Sequence, residues 1–151
     1  MAADVRQLIV EYLTEAKLMQ IATVSEDQPW NCTVTFVCDK NLNLYWISKL
    51  DTRHSEEIHK NKKVAAAISV KFSDLTIVGM QVEGDAELIE DDHEIKRMIR
   101  LYTDRFGRGE KWYESFIAGN NEHKLYRIKP RLFVLFDIVN FPDNPRQELK
   151  L

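Results

Sequence analysis

Six stretches of this chain have the composition of β-strands, and few helical segments separate them. They are rich in Val, Ile, Thr and aromatic residues, which suit the pleated, half-buried surface of a sheet. The stretches cover residues 18–24, 30–38, 42–48, 64–70, 75–89 and 125–139. Parallel sheets show a regular alternation of strands and helices, and this chain does not. The pattern therefore predicts a mainly β fold with flanking helices, built as a small antiparallel barrel that is closed or partly closed.

Two short polar segments predict tight connections between the first three strands. Residues 26–29 read Glu-Asp-Gln-Pro, and residues 39–41 read Asp-Lys-Asn. These residue types favour turns because their side chains hydrogen bond to the local backbone or restrict its dihedral angles. We therefore expect consecutive strands to pair antiparallel at both places.

Three segments show the apolar spacing of amphipathic helices. The first covers residues 5–13, with Asp4 near its start, and the second runs from about Asp92 to Phe106. A shorter third helix is predicted over residues 112–118, ending at Gly119. Apolar residues spaced three and four apart form one buried stripe on each of the longer two, so these helices should pack against the sheet.

Size and composition predict a single domain spanning residues 1–151. A chain of this length buries about two-thirds of its unfolded surface. Its residues are 44% hydrophobic and 30% charged, which is typical of soluble globular proteins. No apolar run approaches the roughly 20 residues that span a bilayer, and Asp4 and Arg6 interrupt any secretory signal. We expect a cytoplasmic protein.

Several classes of site are disfavoured by the charged residues, cysteines and histidines. The formal net charge of -3 argues against a nucleic-acid footprint. Cys32 and Cys38 lie six residues apart on one predicted strand, too far to close a disulfide within it. The four histidines are too scattered to form a metal-ligand pattern, and no catalytic triad or glycine-rich phosphate loop is present.

A capped helix start follows the third predicted strand, at residues 51–58, which read Asp-Thr-Arg-His-Ser-Glu-Glu-Ile. The first backbone N–H groups of a helix have no partner inside it, so they attract anions. Thr52 or Asp51 can cap the helix, Arg53 can grip two phosphate oxygens, and Ser55 can donate a further hydrogen bond. The pattern favours a phosphate-bearing cofactor. An ordinary capped surface helix would show the same sequence.

The order of these elements, together with five short motifs, resembles the pyridoxamine 5'-phosphate oxidase-like FMN-binding split barrels, and the resemblance covers most of the chain. The motifs are Ile21-Ala22-Thr23-Val24 followed by Pro29-Trp30; Leu44-Tyr45-Trp46-Ile47-Ser48; Thr52-Arg53-His54-Ser55 with Ile58, Asn61 and Val64; Gly79-Met80-Gln81-Val82-Glu83-Gly84; and Tyr126-Arg127-Ile128-Lys129-Pro130. The resemblance implies a six-stranded antiparallel split β-barrel of Greek-key type. It also implies a homodimer, because the family's sites lie at the subunit interface.

The resemblance further implies which residues would contact FMN. Arg53 and His54 match the basic pair that holds the phosphate, although the second residue is commonly Lys in the family. The strand from Asn31 to Phe36 matches the segment along the ring edge and ribityl chain, and Phe136 falls where the partner subunit supplies an aromatic residue. The implied contacts are Asn31, Thr33, Val34, Thr35, Ile47, Ser48, Thr52, Arg53, His54, Ser55, Gln81 and Phe136. Core packing explains Ile47 and Phe136 equally well.

The sequence departs from the true oxidases near its end. Those enzymes carry an Arg-x-His segment that grips the substrate, whereas residues 137–143 here read Asp-Ile-Val-Asn-Phe-Pro-Asp. Oxidation of vitamin B6 is therefore not expected, since function belongs to the site and not to the barrel. Tyr102 and Arg105 could line a substrate mouth, although a buried Tyr102 and a solvated Arg105 fit a surface helix equally.

The resemblance implies an FMN-dependent oxidoreductase that acts on a small substrate, with a nicotinamide or other electron donor. Two other functions fit the same barrel. A flavin or haem carrier would have no catalytic role, and His54 and His123 are its candidate axial ligands. A cofactor-free interaction barrel would have lost cofactor binding, and the sequence feature that favours it is His54 in place of the family's common Lys. A deazaflavin is a further possible ligand.

Overall fold

The computed structural model describes residues 2–151 as one antiparallel sheet with four helices. The strands are β1 (Leu18–Ser25), β2 (Gln28–Thr35), β3 (Val37–Cys38), β4 (Leu44–Lys49), β5 (Lys63–Ser73), β6 (Thr76–Leu88), β7 (His123–Asp137) and β8 (Arg146–Lys150). The helices are α1 (Val5–Glu15), α2 (Arg53–Lys60), α3 (Asp92–Phe106) and α4 (Glu110–Ile117). Helices were predicted at all four places, and α4 begins two residues earlier than predicted.

The sheet order is β2-β1-β5-β6-β7-β4-β3, and β8 pairs with the second half of β7. The first half of β7 pairs with β4 along the same edge, so β7 is shared by three neighbours. Strands β2 and β3 end the hydrogen-bonded order without pairing to each other within residues 2–151. The predicted mainly β, antiparallel split barrel is confirmed.

The number of strands is eight, so the prediction of six was wrong. The predicted strand 30–38 divides at Phe36, whose backbone N–H donates to the Lys17 carbonyl at 3.1 Å, and Val37–Cys38 pairs with β4 instead. Strand β8 was missed because it reads Arg-Gln-Glu-Leu-Lys, which carries little β preference. The strand is formed by its backbone pairing with β7, and not by the β preference of its side chains.

Both predicted turns are present. Glu26 and Asp27 have φ of 53° and 62° and join Ser25 to Gln28 as a two-residue hairpin, the geometry that matches the right-handed twist of paired strands. In the second turn, the Asp39 carboxylate accepts from the backbone N–H groups of Asn41 and Asn43 at 2.9 and 3.0 Å.

The buried residues form two clusters. The larger fills the barrel and the space under α1; Ile9, Leu13, Trp46, Tyr126 and Phe133 are among its members. The smaller joins α3 and α4 to the outside of β4, through Tyr45, Met98, Ile99, Tyr102, Phe116 and others. The second cluster holds α3 and α4 beside the end of β4, next to the start of α2.

Neither cysteine is paired, and burial raises the pKa of the Cys38 thiol to about 12. Among residues 2–151, no helix has both the length and the apolar character needed to cross a membrane.

Candidate functional site

An open cleft of about 470 Å³ lies where β4 ends and α2 begins. We call it the main cleft. It is lined by Thr33, Val34, Thr35, Ile47, Ser48, Lys49, Thr52, His54, Tyr102, Arg108 and His123. Seven of the twelve predicted contact residues are in this set. The antiparallel register pairs Lys49 with His123, which places His123 on the wall of the cleft.

The first turn of α2 is arranged as the sequence predicts. Thr52 is the N-cap, and its Oγ1 accepts from the Ser55 backbone N–H at 3.3 Å. The Glu56 N–H donates to the Thr52 carbonyl. Within residues 2–151, the backbone N–H groups of Arg53 and His54 have no acceptor. This end of the helix therefore keeps two free donors and the positive end of its dipole.

His54 is held against the wall of the main cleft by two hydroxyl groups. Its Nε2 lies 2.7 Å from Ser48 Oγ and 3.3 Å from Thr52 Oγ1. Burial lowers the pKa of His54 below the ordinary histidine value, and the nearby Glu57 carboxylate opposes that shift. The imidazole is therefore predominantly neutral at pH 7, and proton uptake there is costly.

Arg53 points away from the main cleft. It lines a smaller cavity of about 220 Å³, together with Glu57 and residues of the β1–β2 hairpin. Its Nε donates to Glu57 Oε2 at 2.8 Å, and its guanidinium lies over the Trp30 ring. The buried Glu57 also accepts from Thr23 Oγ1 at 2.7 Å. The hydrogen bonds from Arg53 and Thr23 lower the pKa of Glu57.

The charged groups of the main cleft are all basic. Lys49 pairs with Glu122 at 2.8 Å, and this ion pair raises the pKa of Lys49. Arg108 lies over the Trp112 ring and has no carboxylate partner within residues 2–151. None of the described side chains that line the cleft is a carboxylate. The electrostatic character of the cleft favours an anionic ligand.

Strand β2 supplies Thr33, Val34 and Thr35 to the main cleft, but Asn31 is exposed and does not line it. The Thr35 hydroxyl hydrogen bonds to that of Tyr102, which lines the cleft from α3. Ser55 is fully buried behind Thr52, whose hydroxyl donates to Ser55 Oγ. Asn31 and Ser55 are therefore not brought to the main cleft.

Gln81 and Phe136 lie on a different part of the molecule. Together with Ala67, Ile68, Ser69, Ile77, Gly79, Met80, Val134 and Arg146 they line an open groove of about 480 Å³, which we call the strand groove. It shares no lining residue with the main cleft. The twelve predicted residues thus divide into a set at the main cleft, a pair at the strand groove, and three others, which are Arg53, Ser55 and Asn31.

Comparison with known families decides the classification. The family described as pyridoxamine 5'-phosphate oxidase matches residues 5–136 of the chain. The chain belongs to this family. The match covers the sheet from β1 to almost the end of β7, together with all four helices. The resemblance predicted from the five motifs is confirmed.

Solved structures share the fold of this family member at low sequence identity. General Stress Protein 26 from Bacillus anthracis str. Sterne has 17% identity and a TM-score of 0.71, over 97% of this chain and 98% of that one. HutZ, the heme storage protein from Vibrio cholerae, has 21% identity and a TM-score of 0.66, over 86% and 91%. A FAD-binding protein from Mesorhizobium loti has 17% identity and a TM-score of 0.63, over 84% and 90%. Comparison with curated protein sequences gives no match.

In this family member, the end of β7 and the segment after it have a structural role. Asp137 is fully buried and accepts from Tyr12 Oη at 2.6 Å and from Asn140 Nδ2 at 2.7 Å. Two further bonds come from the backbone N–H groups of Val139 and Asn140. Hydrogen bonds from Tyr12 and Asn140 lower the pKa of Asp137, against the effect of burial. The hydrogen bond from Tyr12 therefore attaches α1 to the end of β7.

Four residues of the main cleft were not among the predicted contacts. Lys49 continues β4 one residue past Ser48, and His123 enters through its pairing with Lys49. Tyr102 was predicted only as a possible wall of a substrate mouth, and it lines the main cleft, whereas Arg105 donates to the Ala16 carbonyl. Arg108 lies between Gly107 and Gly109, both at positive φ, so a Gly-Arg-Gly segment between two helices was its sequence signal.

The donors of the main cleft fit a phosphate-bearing cofactor. The free backbone N–H of His54, the hydroxyls of Thr33 and Ser48, and the unpaired Arg108 guanidinium belong to residues that line one space with no carboxylate in its lining. Apolar surface from Val34 and Ile47 lies beside them. A polar, basic end next to an apolar wall is suited to a ligand with an anionic tail and a planar ring.

Proposed function

We propose that the protein is an FMN-binding flavoprotein that acts as an oxidoreductase on a small substrate. The observation that carries this proposal is the main cleft, where Thr52 and His54 of the start of α2 meet basic side chains in the absence of any lining carboxylate. Membership of the pyridoxamine 5'-phosphate oxidase family supports a flavin. The Mesorhizobium loti protein, which shares the fold, is FAD-binding.

The phosphate would bind at the start of α2. Thr52 fixes the first turn as its cap, and the backbone N–H groups of Arg53 and His54 would donate to the phosphate oxygens. The Arg53 guanidinium uses only Nε within residues 2–151, so its Nη groups are free to contact the phosphate from the side of the smaller cavity. This contact of Arg53 remains a prediction from the sequence.

The ring would lie along β2 and the end of β4. Val34 and Ile47 supply apolar contacts, and the threonine hydroxyls of β2 supply polar ones. When bound, a flavin provides hydride or electron transfer. The chain would bind and orient the ring and exclude water from it, and His54, being predominantly neutral, would donate no proton to it at neutral pH.

The site would be completed by a second copy of the chain. The main cleft is open to solvent, and the strand groove with Gln81 and Phe136 has no residue in common with it. A homodimer in which the strand groove of one copy faces the main cleft of the other would bring both predicted sets to one flavin. Phe136 is 40% exposed and neighbours the exposed Ile77, which suits a buried contact.

A haem carrier is the second candidate, because its two predicted axial ligands, His54 and His123, both line the main cleft. The neutral imidazole of His54 is the form that binds a metal. HutZ, a heme storage protein, shares the fold. In this alternative the basic side chains would contact the haem propionates.

The test is the absorbance spectrum of the freshly purified protein, followed by the mass of the ligand released on denaturation. We expect a flavin spectrum and the mass of FMN. A Soret band that His54→Ala removes would support the haem carrier instead. Colourless protein that neither quenches FMN fluorescence nor binds haem would contradict both candidates and support a cofactor-free barrel.

A further inference from the structure

Two hydroxyl groups from different elements meet on the wall of the main cleft. Tyr102 belongs to α3 and Thr35 is the last residue of β2, and both line the cleft. A hydrogen bond joins the Tyr102 hydroxyl to the Thr35 hydroxyl. Each hydroxyl group carries one hydrogen, so the bond between them uses only one of the two hydrogens. The pair therefore keeps a second hydrogen that it can donate.

The phenol ring of Tyr102 is held in place by two other aromatic rings. Its centroid lies 4.7 Å from that of Phe106 and 5.8 Å from that of Trp112. The planes of Tyr102 and Trp112 are 24° apart, so these two rings stack. The residue is only 1% exposed, and close packing of this kind keeps a side chain in one rotamer. The Tyr102 hydroxyl therefore has a fixed position relative to Thr35.

The surroundings of the pair favour Tyr102 as the donor of this bond. A phenol is more acidic than an aliphatic alcohol, which makes it the better donor. In the reverse direction the phenolic hydrogen would have no acceptor within residues 2–151, inside a nearly fully buried residue. An unpaired buried donor is costly. Thr35 is half-buried, so its own hydrogen can turn toward the main cleft.

The other hydroxyl groups of the main cleft are not constrained in this way. Ser48 Oγ lies 2.7 Å from His54 Nε2, and Thr52 caps α2, so both are engaged at the start of that helix. Thr33 is exposed, and its hydroxyl forms no hydrogen bond within residues 2–151. Thr35 is therefore the hydroxyl of β2 whose hydrogen has one favoured direction, which is into the cleft.

We infer that Tyr102 positions the Thr35 hydroxyl as a donor to an acceptor atom of the flavin ring. This role rests on the proposed function and adds a positioning residue from α3 to the flavin site. An oxidised isoalloxazine ring presents more acceptors than donors along its polar edge, so a fixed donor suits it. A hydroxyl that accepts one hydrogen bond also donates a stronger one, which makes the chain from Tyr102 through Thr35 to the ring cooperative.

The experiment measures the dissociation constants of FMN and riboflavin by fluorescence quenching, together with the visible and infrared bands of bound FMN. Thr35→Val and Tyr102→Phe each remove one hydroxyl group and keep the shape of the side chain. Each should weaken FMN and riboflavin by the same factor, about 2- to 10-fold, because both ligands share the ring. Each should also shift the bands of bound FMN. Thr35→Ser, which keeps the hydroxyl, should restore wild-type affinity and bands.

A double variant and a matched control separate positioning from a direct contact or a structural role. In the Thr35→Val background, Tyr102→Phe should cause no further loss of flavin affinity, because Tyr102 acts through Thr35. Tyr113→Phe is the control, since it removes a hydroxyl group from α4, outside the main cleft, and should change neither affinity nor bands. Additive losses in the double variant, wild-type affinity in either single variant, or a changed ratio of FMN to riboflavin affinity would overturn the proposal.

Failure of this role and failure of the proposed function give different results. A protein that binds FMN, with affinity and bands unchanged in Thr35→Val and Tyr102→Phe, would refute this role alone and leave the proposed function in place. A protein that binds neither FMN nor riboflavin would refute the proposed function, and this role with it.

Discussion

The guanidinium carbon of Arg53 lies 4.0 Å from the centre of the Trp30 ring. Trp30 belongs to β2, and Arg53 is the first residue of α2, so the contact joins the start of the helix to the β1–β2 hairpin. Nε of the same arginine donates to the buried Glu57 one turn later. Arg53 thereby anchors the start of α2, where Thr52 and His54 line the main cleft.

The Arg53–Trp30 contact can be measured by a double-mutant cycle of Arg53→Ala and Trp30→Ala. We expect a coupling free energy of about 0.5–1 kcal/mol in urea unfolding, the range of exposed cation–π pairs. Arg53→Lys should keep part of it, since Lys retains the charge but not the planar group. A coupling energy near zero would mean that the stacking contributes nothing to stability.

The stability of the protein should depend on pH through His54. Its pKa is lowered in the folded state, so the unfolded chain takes up the proton first as the pH falls. The free energy of unfolding should therefore be highest above about pH 6.5 and decrease below it, because the unfolded state then binds more protons. His54→Gln should flatten this part of the pH profile, whereas His59→Gln, on an exposed residue of the same helix, should not. Parallel profiles for wild type and His54→Gln would refute the assignment.

Gly84 has no room for a side chain. A Cβ at this position would lie 2.5 Å from the Lys129 carbonyl oxygen and 2.9 Å from Pro130 Cα, at the irregularity in the pairing of β6 with β7. Gly84→Ala should lower the free energy of unfolding by about 2–3 kcal/mol, measured by urea denaturation. Gly79→Ala, whose Cβ would lie 3.2 Å from the Ile68 carbonyl oxygen, should cost less. Equal losses for the two variants would contradict this explanation.

The strand groove should be part of the dimer interface. Phe136→Arg places a charge among the apolar residues of that groove, so we expect a monomer in light scattering and a large loss of FMN affinity. Leu101→Arg is the matched control because Leu101, on α3, is 42% exposed, close to the value for Phe136. A dimer that survives Phe136→Arg with FMN affinity intact would exclude this interface.

The fold could be predicted from sequence wherever side chains decide the local structure. Alternating β-formers marked most of the strands, and Thr52 marked the start of α2 as its cap. Strand β8 carries no such signal, because its pairing with Leu132–Phe136 of β7 is a tertiary contact. The break at Phe36 is likewise decided by a hydrogen bond to a residue outside the strand, Lys17.

The site could be predicted only in part, because its residues come from separated segments. The cap pattern identified Thr52, and the family resemblance identified Ser48 and His54. The direction of Arg53 depends on Glu57 and Trp30, a pairing that periodicity does not show. The position of Arg108 at the main cleft depends on how α3 and α4 pack against β4. No local sequence pattern predicts that packing.

The comparison of FMN with riboflavin tests the central claim most directly, because the two ligands differ only in the phosphate. Dissociation constants from flavin fluorescence quenching should favour FMN by about 10- to 100-fold, the contribution of charge-assisted hydrogen bonds at the start of α2. Thr52→Ala, which removes the cap of that turn, should reduce the ratio, whereas His59→Ala should not. A reduced ratio in Arg53→Ala would show that its guanidinium also reaches the phosphate. Equal affinity of the wild-type protein for FMN and riboflavin would contradict a phosphate site at this helix.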